Sequence, residues 1–376
     1  GLGTFALYSN TTASNNTAVG YQAGYSNTTG FANTMLGSNA GDALTTGNNN
    51  IAIGSNALGA DTLGDRSVAI GNEALASQNF TSTTDAYNVA VGYQAGNAVT
   101  TGANNTLIGG LAGDATTTGS ANTSVGTGSL GSNTTASNNT AVGFDAGNRN
   151  TTGFENTFVG NLAGYSNTTG ILNTYVGRRA GYDGTTSSRN TFVGHYAGNL
   201  TSSSSNTFIG QDAGTFITSG GNNTILGKYN GNQHGLDIRT SNNQIVLSDG
   251  DGNPRVRVDS VGNFKTGSGV TNTPWSRSGT ADSGYYFGAG GSGNNFMAIN
   301  ANGLVAVFNR SLNDGTIVEF KQSGSVEGTI SISGSTTSYN TSSDHRLKEN
   351  VSYTWDATTR LKQLKPARFN FIANPD

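Results

Sequence analysis

A chain of 376 residues has room for two or three domains, yet its 56 glycines, 11% charged residues and 34% apolar residues depart from ordinary globular composition, which runs near 25% charged and 45–50% apolar. A net charge of −3 with only four prolines excludes the highly charged, proline-rich profile of a disordered chain and favours repetitive β structure; it also argues against nucleic acid or an anionic membrane as the main partner. With no cysteine there are neither disulfides nor thiolate metal sites, and no apolar run approaches the roughly 18 residues that span a bilayer. The chain starts at Gly1 and not at a methionine, which reads as a segment of something longer and leaves room for a leader or an attachment domain before it.

In chain order, the first element is a repeat. The pattern Asn-Thr-x-(Val/Ile/Leu)-Gly closes at Gly20 ("NTAVG"), Gly37 ("NTMLG"), Gly109 ("NTLIG") and Gly160 ("NTFVG"). Looser copies such as "NIAIG" and "SVAIG" close at Gly54 and Gly71. The closing glycines fall at 20, 37, 54, 71, 92, 109, 126, 143, 160, 177, 194, 210 and 227, a period of 17 with one step of 21 and one of 16.

Seventeen residues are too few for a helical hairpin, and Gly, Asn and Thr are poor helix formers; strand, turn, strand, turn fits. Val, Ile or Leu always precedes the glycine, and Thr or a β-branched residue stands two positions earlier, so alternation puts both on one face, which reads as the inside of a coil. The other face carries the Asn column and a variable residue, small at Ala18, Ala52, Ala69 and Ala90 and bulky at Phe158, Tyr175, Phe192 and Phe208. Apolar residues on both faces imply that one of them buries against something outside the coil. Thirteen coils stacked at about 4.8 Å each make a rod of roughly 60 Å, and so narrow a coil encloses a core too thin to stand alone, which points to self-association. Asn side chains are expected to bond along the stack. Second glycines, as in "GYQAG" at 20–24, fit turns of positive φ. The extra residues near 79–87 are expected to loop outward.

"NTAVGYQAG" resembles the head repeat of YadA-type trimeric adhesins, with their Asn-Ser-x-Ala-Ile-Gly element, a repeat found also in phage tail fibres. The resemblance implies a left-handed parallel β-roll in a three-fold homotrimer, although a period of 17 is longer than is usual in those heads.

After Gly227 the period breaks. Gln244–Leu247 and Arg255–Val258 read as strands joined by a Gly-Asp-Gly turn, residues 265–284 as a Gly/Ser-rich link, and Phe296–Ile299, Leu304–Asn309, Thr316–Lys321 and Val326–Ile332 as strands of a small antiparallel domain. "SDGDGN" at 248–253 has carboxylates at 249 and 251 but no downstream Glu for a calcium loop, and reads as a hairpin turn. "GAGGSG" at 288–293 lacks the Lys-Ser/Thr and helix of a phosphate loop, and reads as a flexible segment.

Last comes "YNTSSDHRLKENV" at 339–351. Its residue types alone describe a capped, solvated entry into a helix or strand. A functional reading makes Ser343 a nucleophile and Lys348, five residues on, its base, if burial lowers the amine's pKa. The stretch, with "LKQLKPARFNF" at 361–371, resembles the start of the intramolecular chaperone auto-processing domain that ends many phage tail spikes and fibres, a self-cleaving serine peptidase family. Its Ser-Asp-x-Arg-Leu-Lys motif is matched by Ser343, Asp344, Arg346, Leu347 and Lys348, with His345 at the variable place. The resemblance implies cleavage of the Ser343–Asp344 bond, Ser343 as nucleophile and Lys348 as general base. Only residues 344–376 follow that bond, less than the family's domain. They read as a helix over 355–364, stopped by Pro366, and a strand at "ARFNFI".

The sequence therefore reads as an all-β chain: a homotrimeric parallel β-roll or β-solenoid of 17-residue coils (1–229), a β-hairpin connector (230–264), a link (265–284), a small antiparallel β domain (285–343) and the beginning of an α+β chaperone domain (344–376). The expected function is a structural and receptor-binding phage tail fibre, located on the virion. Its partners are two further copies of the chain, other tail proteins and a host-surface glycan or protein receptor, with Trp275, Tyr285 and Tyr286 as candidate glycan contacts. No cofactor, metal, nucleic acid or membrane insertion is expected, and no chemistry beyond single-turnover self-cleavage. The alternatives are a trimeric adhesin at a cell surface and a glycan depolymerase. Hydrolysis needs paired carboxylates, which the scattered Asp42, Asp114, Asp145, Glu155 and Asp212 do not evidently form, though Asp145 with Glu155 stays open. Ice binding through the Thr column at 106, 123, 140, 157, 174 and 191 ranks last, because the alternation places Thr beside a core Val.

Overall fold

The computed structural model describes residues 1–266, 284–290, 294–300, 314–322, 325–341 and 358. The expected strand at Leu304–Asn309 and the helix and strand after residue 354 lie outside these, Thr358 apart. Two compact units divide the chain, Gly1–Val305 and Ala306–Asp376.

The first unit is a parallel β-solenoid. Strands of three residues, from Thr17–Val19 to Thr224–Leu226, stack one per coil and pair in parallel without a register slip, as in Thr140↔Thr157, Ala141↔Phe158 and Val142↔Val159. The stack runs further than the repeat pattern does. Leu2 bridges to Val19, and Ile245–Ser248 pairs in parallel with Thr224–Leu226. The expected second strand appears in only two coils, as the two-residue strands Gly64–Asp65 and Thr84–Asp85. The remaining residues form turns, whose backbone groups bond to the coils above and below; Gly147 N donates to Ala163 O at 2.9 Å.

The two faces of the strand are the reverse of the sequence expectation. The variable residue between Thr and Val points inward: Met35, Ala52, Leu107, Ala141, Phe158, Tyr175, Phe192 and Phe208 are all fully buried, as are most of the Asn column, while Leu36, Ile108, Val142, Ile209 and Leu226 stay exposed. A buried polar side chain is tolerable only when its hydrogen bonds are made, and here they are. Asn139 Oδ1 accepts the N–H of Asn156 in the next coil at 3.0 Å, and its Nδ2 donates to Gly153 O at 2.9 Å. The same pattern repeats up the stack and ends at Gln244, whose N–H donates to Asn223 Oδ1 at 2.8 Å and whose side-chain oxygen accepts from Arg257 Nε at 2.9 Å. A Thr ladder runs beside it, with Thr117 Oγ1 donating to Thr134 O at 3.1 Å.

The interior is filled by complementary volumes. Where the variable residue is large, the turn position four beyond the closing glycine is glycine; a Cβ on Gly147 or Gly164 would lie 2.5 or 2.4 Å from the Phe158 ring. Where it is Ala or Ser both in that coil and in the next, the position holds a buried Leu at positive φ, as at Leu58, Leu75 and Leu130, whereas Gly24, Gly96 and Gly147 follow a small residue but face the large Met35, Leu107 and Phe158 of the next coil. The large rings stack along the interior, Tyr175 on Phe192 at 5.0 Å and Phe192 on Phe208 at 4.9 Å. The closing glycine is needed for a different reason. Gly126 has φ +137, and a Cβ there would lie 2.3 Å from the carbonyl oxygen of Gly143, so coils approach closely only without a side chain.

The long coil keeps its stack. Val68–Ile70 pairs with Val89–Val91, while Thr81, Ser82 and Thr83 are exposed and Thr84–Asp85 pairs with Gly64–Asp65. Beyond the last coil an antiparallel meander follows: Ile245–Ser248, Pro254–Val258, Phe264–Thr266, Gly284–Gly290 and Asn294–Asn300. Phe264–Thr266 and Gly284–Gly290 are strands that the sequence reading missed; Gly288, Ala289 and Gly290, read as flexible, pair with Phe296, Asn295 and Asn294. In the second unit Gly315–Gln322, Ser325–Ser333 and Thr336–Thr341 form a three-stranded antiparallel sheet.

Candidate functional site

The expected cleavage residues Ser343, Asp344, Arg346, Leu347 and Lys348, and Trp275, lie outside the described residues. Of the candidate glycan contacts, Tyr285 and Tyr286 fall in the strand Gly284–Gly290, opposite Ile299 and Ala298. What the described residues do display is a continuous outward surface along the solenoid.

That surface is built by the strand itself. Thr and Val alternate with the buried residue, so both project outward from every rung, and parallel in-register pairing lines them up in two columns. In "TAV" at 140–142, Ala141 is buried, Thr140 is half-buried and Val142 is 36% exposed. Leu226 reaches 49% and Leu36 46%. Thr stands on the rungs at Thr17 and Thr34 and on every rung from Thr106 to Thr224; between them Ile51, Val68 and Val89 take its place. The stripe is therefore most apolar over the three rungs from Ile51 to Val91. The sequence pattern identified its members but placed them inside. The signal that would have reversed the assignment is that the turn holds Leu only between two coils whose variable residues are both small, and Gly beside any large one, since only residues sharing a cavity trade volume that way.

The second unit shows the same need. From 314 to 340 none of the described residues is buried, and Phe320 and Tyr339 are 55% and 77% exposed on either side of a shallow hollow floored by Gly328 and Ile330. Three strands with no buried residue are short of an independent core.

The scattered carboxylates lie in separate turns of the solenoid. Asp42 and Asp114 occupy the same turn position four coils apart, about 19 Å at the usual strand spacing, beyond the separation of glycosidase carboxylates. Asp145 accepts from Asn148 Nδ2 at 3.2 Å, and Asp212 from Gln211 Nε2 at 3.2 Å. Burial pushes the carboxyls of Asp42, Asp114 and Asp145 up from the usual range. It does the same to Asp61, which accepts from Gln78 Nε2 at 2.6 Å and from Gly64 N at 3.0 Å. At "SDGDGN" the Asp249 carboxylate closes the hairpin turn, accepting Asn253 N at 2.9 Å and pairing with Arg255. Asp259 repeats the device, accepting Asn263 N at 2.9 Å. Among the described residues no three His, Asp or Glu side chains are grouped to hold a metal ion, and no helix is long and apolar enough to cross a membrane.

No family model, characterised protein or solved structure matches the chain. The fold stands on its own geometry: an all-β solenoid of the kind that fibrous repeat proteins use, followed by small antiparallel sheets.

Proposed function

We propose that the chain is the shaft and receptor-binding region of a homotrimeric phage tail fibre, divided into the five segments drawn from its sequence and assembled by a C-terminal self-cleaving chaperone. The observation that carries this reading is the outward Thr/Val stripe. It is a long, regular, largely apolar sheet face that a single copy leaves in water, and large exposed apolar surfaces mark association sites. Three copies set stripe to stripe about a common axis bury it symmetrically, because a repeated surface meets its own repeat in register. The coreless sheet at 315–341 gains a core in the same assembly.

At the C-terminal end, the match of Ser343, Asp344, Arg346, Leu347 and Lys348 to the auto-processing motif supports cleavage between Ser343 and Asp344, with Lys348 accepting the proton from the Ser343 hydroxyl. Release of the segment that begins at Asp344 leaves the trimeric fibre kinetically trapped. A fibre with these parts on a virion meets a host surface first, which fits the receptor-binding role.

Sedimentation equilibrium tests the assembly. The expected mass is that of three chains, and Val142→Glu with Val176→Glu is expected to give single chains. A wild-type monomer at micromolar concentration would remove the trimer from the proposal. Intact mass after expression tests the cleavage: a product ending at Ser343 is expected, and Ser343→Ala is expected to stay whole.

A further inference from the structure

Four consecutive coils carry a cluster of three arginines, three tyrosines and a histidine at the surface. Arg149 lies over the Tyr165 ring at 4.9 Å. Tyr165 stacks on Tyr182 one coil on, with centroids 5.3 Å apart and planes 8° from parallel. Arg179 lies over Tyr182 at 4.4 Å and near Tyr196 at 5.7 Å. Arg178 Nη1 meets Tyr196 Oη and His195 Nε2, each at 3.1 Å, and His195 packs edge-on against Tyr196 at 4.3 Å. All seven side chains come from the turns that follow the closing glycines, not from the Thr/Val strand face, and they run along the axis over three coil steps, about 14 Å at the usual strand spacing.

The charges of this strip are uncompensated. Arg66, Arg239 and Arg255 each pair with a carboxylate, whereas among the described residues no carboxylate lies within ion-pair distance of Arg149, Arg178 or Arg179. Asp183, next to Tyr182 in sequence, makes no such pair. Three cations thus stand together on a chain of net charge −3. A guanidinium laid on an aromatic ring keeps its N–H groups in its own plane, directed sideways, where they match a planar carboxylate in a two-point contact.

We infer that this strip binds an acidic polysaccharide, one bearing carboxylates on successive sugars that run along the solenoid axis. Three guanidiniums are too few for nucleic acid, whose binding proteins typically neutralise six to ten phosphates. A neutral glycan would leave them unused. The linear spacing suits a polymer over a single small anion, and the Tyr and His groups supply partners for sugar hydroxyls. The inference deepens the receptor-binding reading above by naming the ligand class and its place on the shaft, and it rests on neither the trimer nor the cleavage.

Affinity electrophoresis of the full chain through gels containing alginate, a polyuronate, tests it. Alginate is expected to retard the wild type, less so at high salt, and neutral dextran to leave it free. Arg178→Ala with Arg179→Ala, the first exposed and the second half-buried, is expected to weaken retardation at least tenfold with the chain still folded by circular dichroism. Arg149→Ala is expected to weaken it less, and Arg255→Ala not at all. No retardation by alginate, equal retardation by dextran, or an undiminished effect in the double variant overturns the inference. Retardation by dextran sulfate without alginate overturns the choice of carboxylate. If alginate fails while the chain still binds host cells, the strip is wrong and the receptor-binding role survives; if host cells are not bound either, both fall.

Discussion

Asn122 holds Asn139 across one coil of the solenoid: its side-chain oxygen accepts the Asn139 N–H at 3.0 Å while its amide donates to Ala136 O at 2.9 Å. One side chain thereby satisfies an inward-facing N–H and a turn carbonyl that water does not reach. Asn122→Ala removes both partners, and a buried group left unpaired costs about 1–3 kcal/mol. The variant is expected to unfold at clearly lower denaturant concentration than wild type. An exposed Asn→Ala control at Asn161, outside the ladder, is expected to leave the midpoint within experimental error.

Glycines in the same coil are expected to differ sharply. Gly109 closes its coil at φ +136, where a Cβ would lie 2.6 Å from the Gly126 carbonyl, whereas its neighbour Gly110 has nothing within 4 Å of an added Cβ. Gly109→Ala must push adjacent coils apart or twist the backbone, and is expected to lower the melting temperature strongly or to prevent folding. Gly110→Ala is expected to be close to neutral. Equal effects would mean that the coils are not stacked this tightly.

That contrast also shows what was legible in the sequence. The period, the closing glycines, the long coil and its bulge were readable, because close stacking forces the same residue to recur at the same place. Which face lies inside was not. Alternation says that Thr140 and Val142 share a side and that Asn139 and Ala141 share the other, but not which side is enclosed. Hydrophobicity favours Val142, and it loses because the narrow interior is lined by backbone groups that only the Asn ladder satisfies. The strip at Arg149, Arg178 and Arg179 was equally hidden, since Arg149, Tyr165 and Tyr182 stand 16 and 17 residues apart in the sequence and become neighbours only when the coils stack.

The traded volumes of the interior give a double-mutant test. Phe158→Ala empties the space between Gly147 and Gly164 and is expected to cost about 3–5 kcal/mol. Gly147→Leu alone is expected to destabilise as well, because a Cβ at that position already meets the Phe158 ring at 2.5 Å. Together they reproduce the arrangement of Leu75 beside Ala69 and Ala90, all fully buried. The left-handed backbone is no obstacle, as Leu75 sits at φ 50 and Gly147 at φ 58. The double variant is therefore expected to be more stable than Phe158→Ala, with a coupling of about 0.5–3 kcal/mol. Additive losses, measured by urea unfolding, would refute the shared-cavity account.

The acid response of the fold follows from which carboxyls are buried. In the solenoid, burial raises Asp42, Asp61, Asp114 and Asp145 above the unfolded value of 3.8. The folded state then holds protons that the unfolded state has released, so stability falls as pH rises through that interval and recovers as pH drops toward 3.8. Asp61 is the most enclosed of the four, at 0% exposure, and Asp61→Asn, which cannot titrate, is expected to flatten part of the slope. Asp237 acts in the opposite sense. Its hydrogen bond from Arg239 lowers its pKa, so its contribution is present above 3.8 and disappears as pH falls through the folded value; solvent screening keeps that contribution small. The urea midpoint is thus expected to climb from pH 7 toward pH 4 and to turn over below 3.8. A midpoint that falls steadily from pH 7 downward would show that the solenoid carboxyls are not desolvated as their positions require.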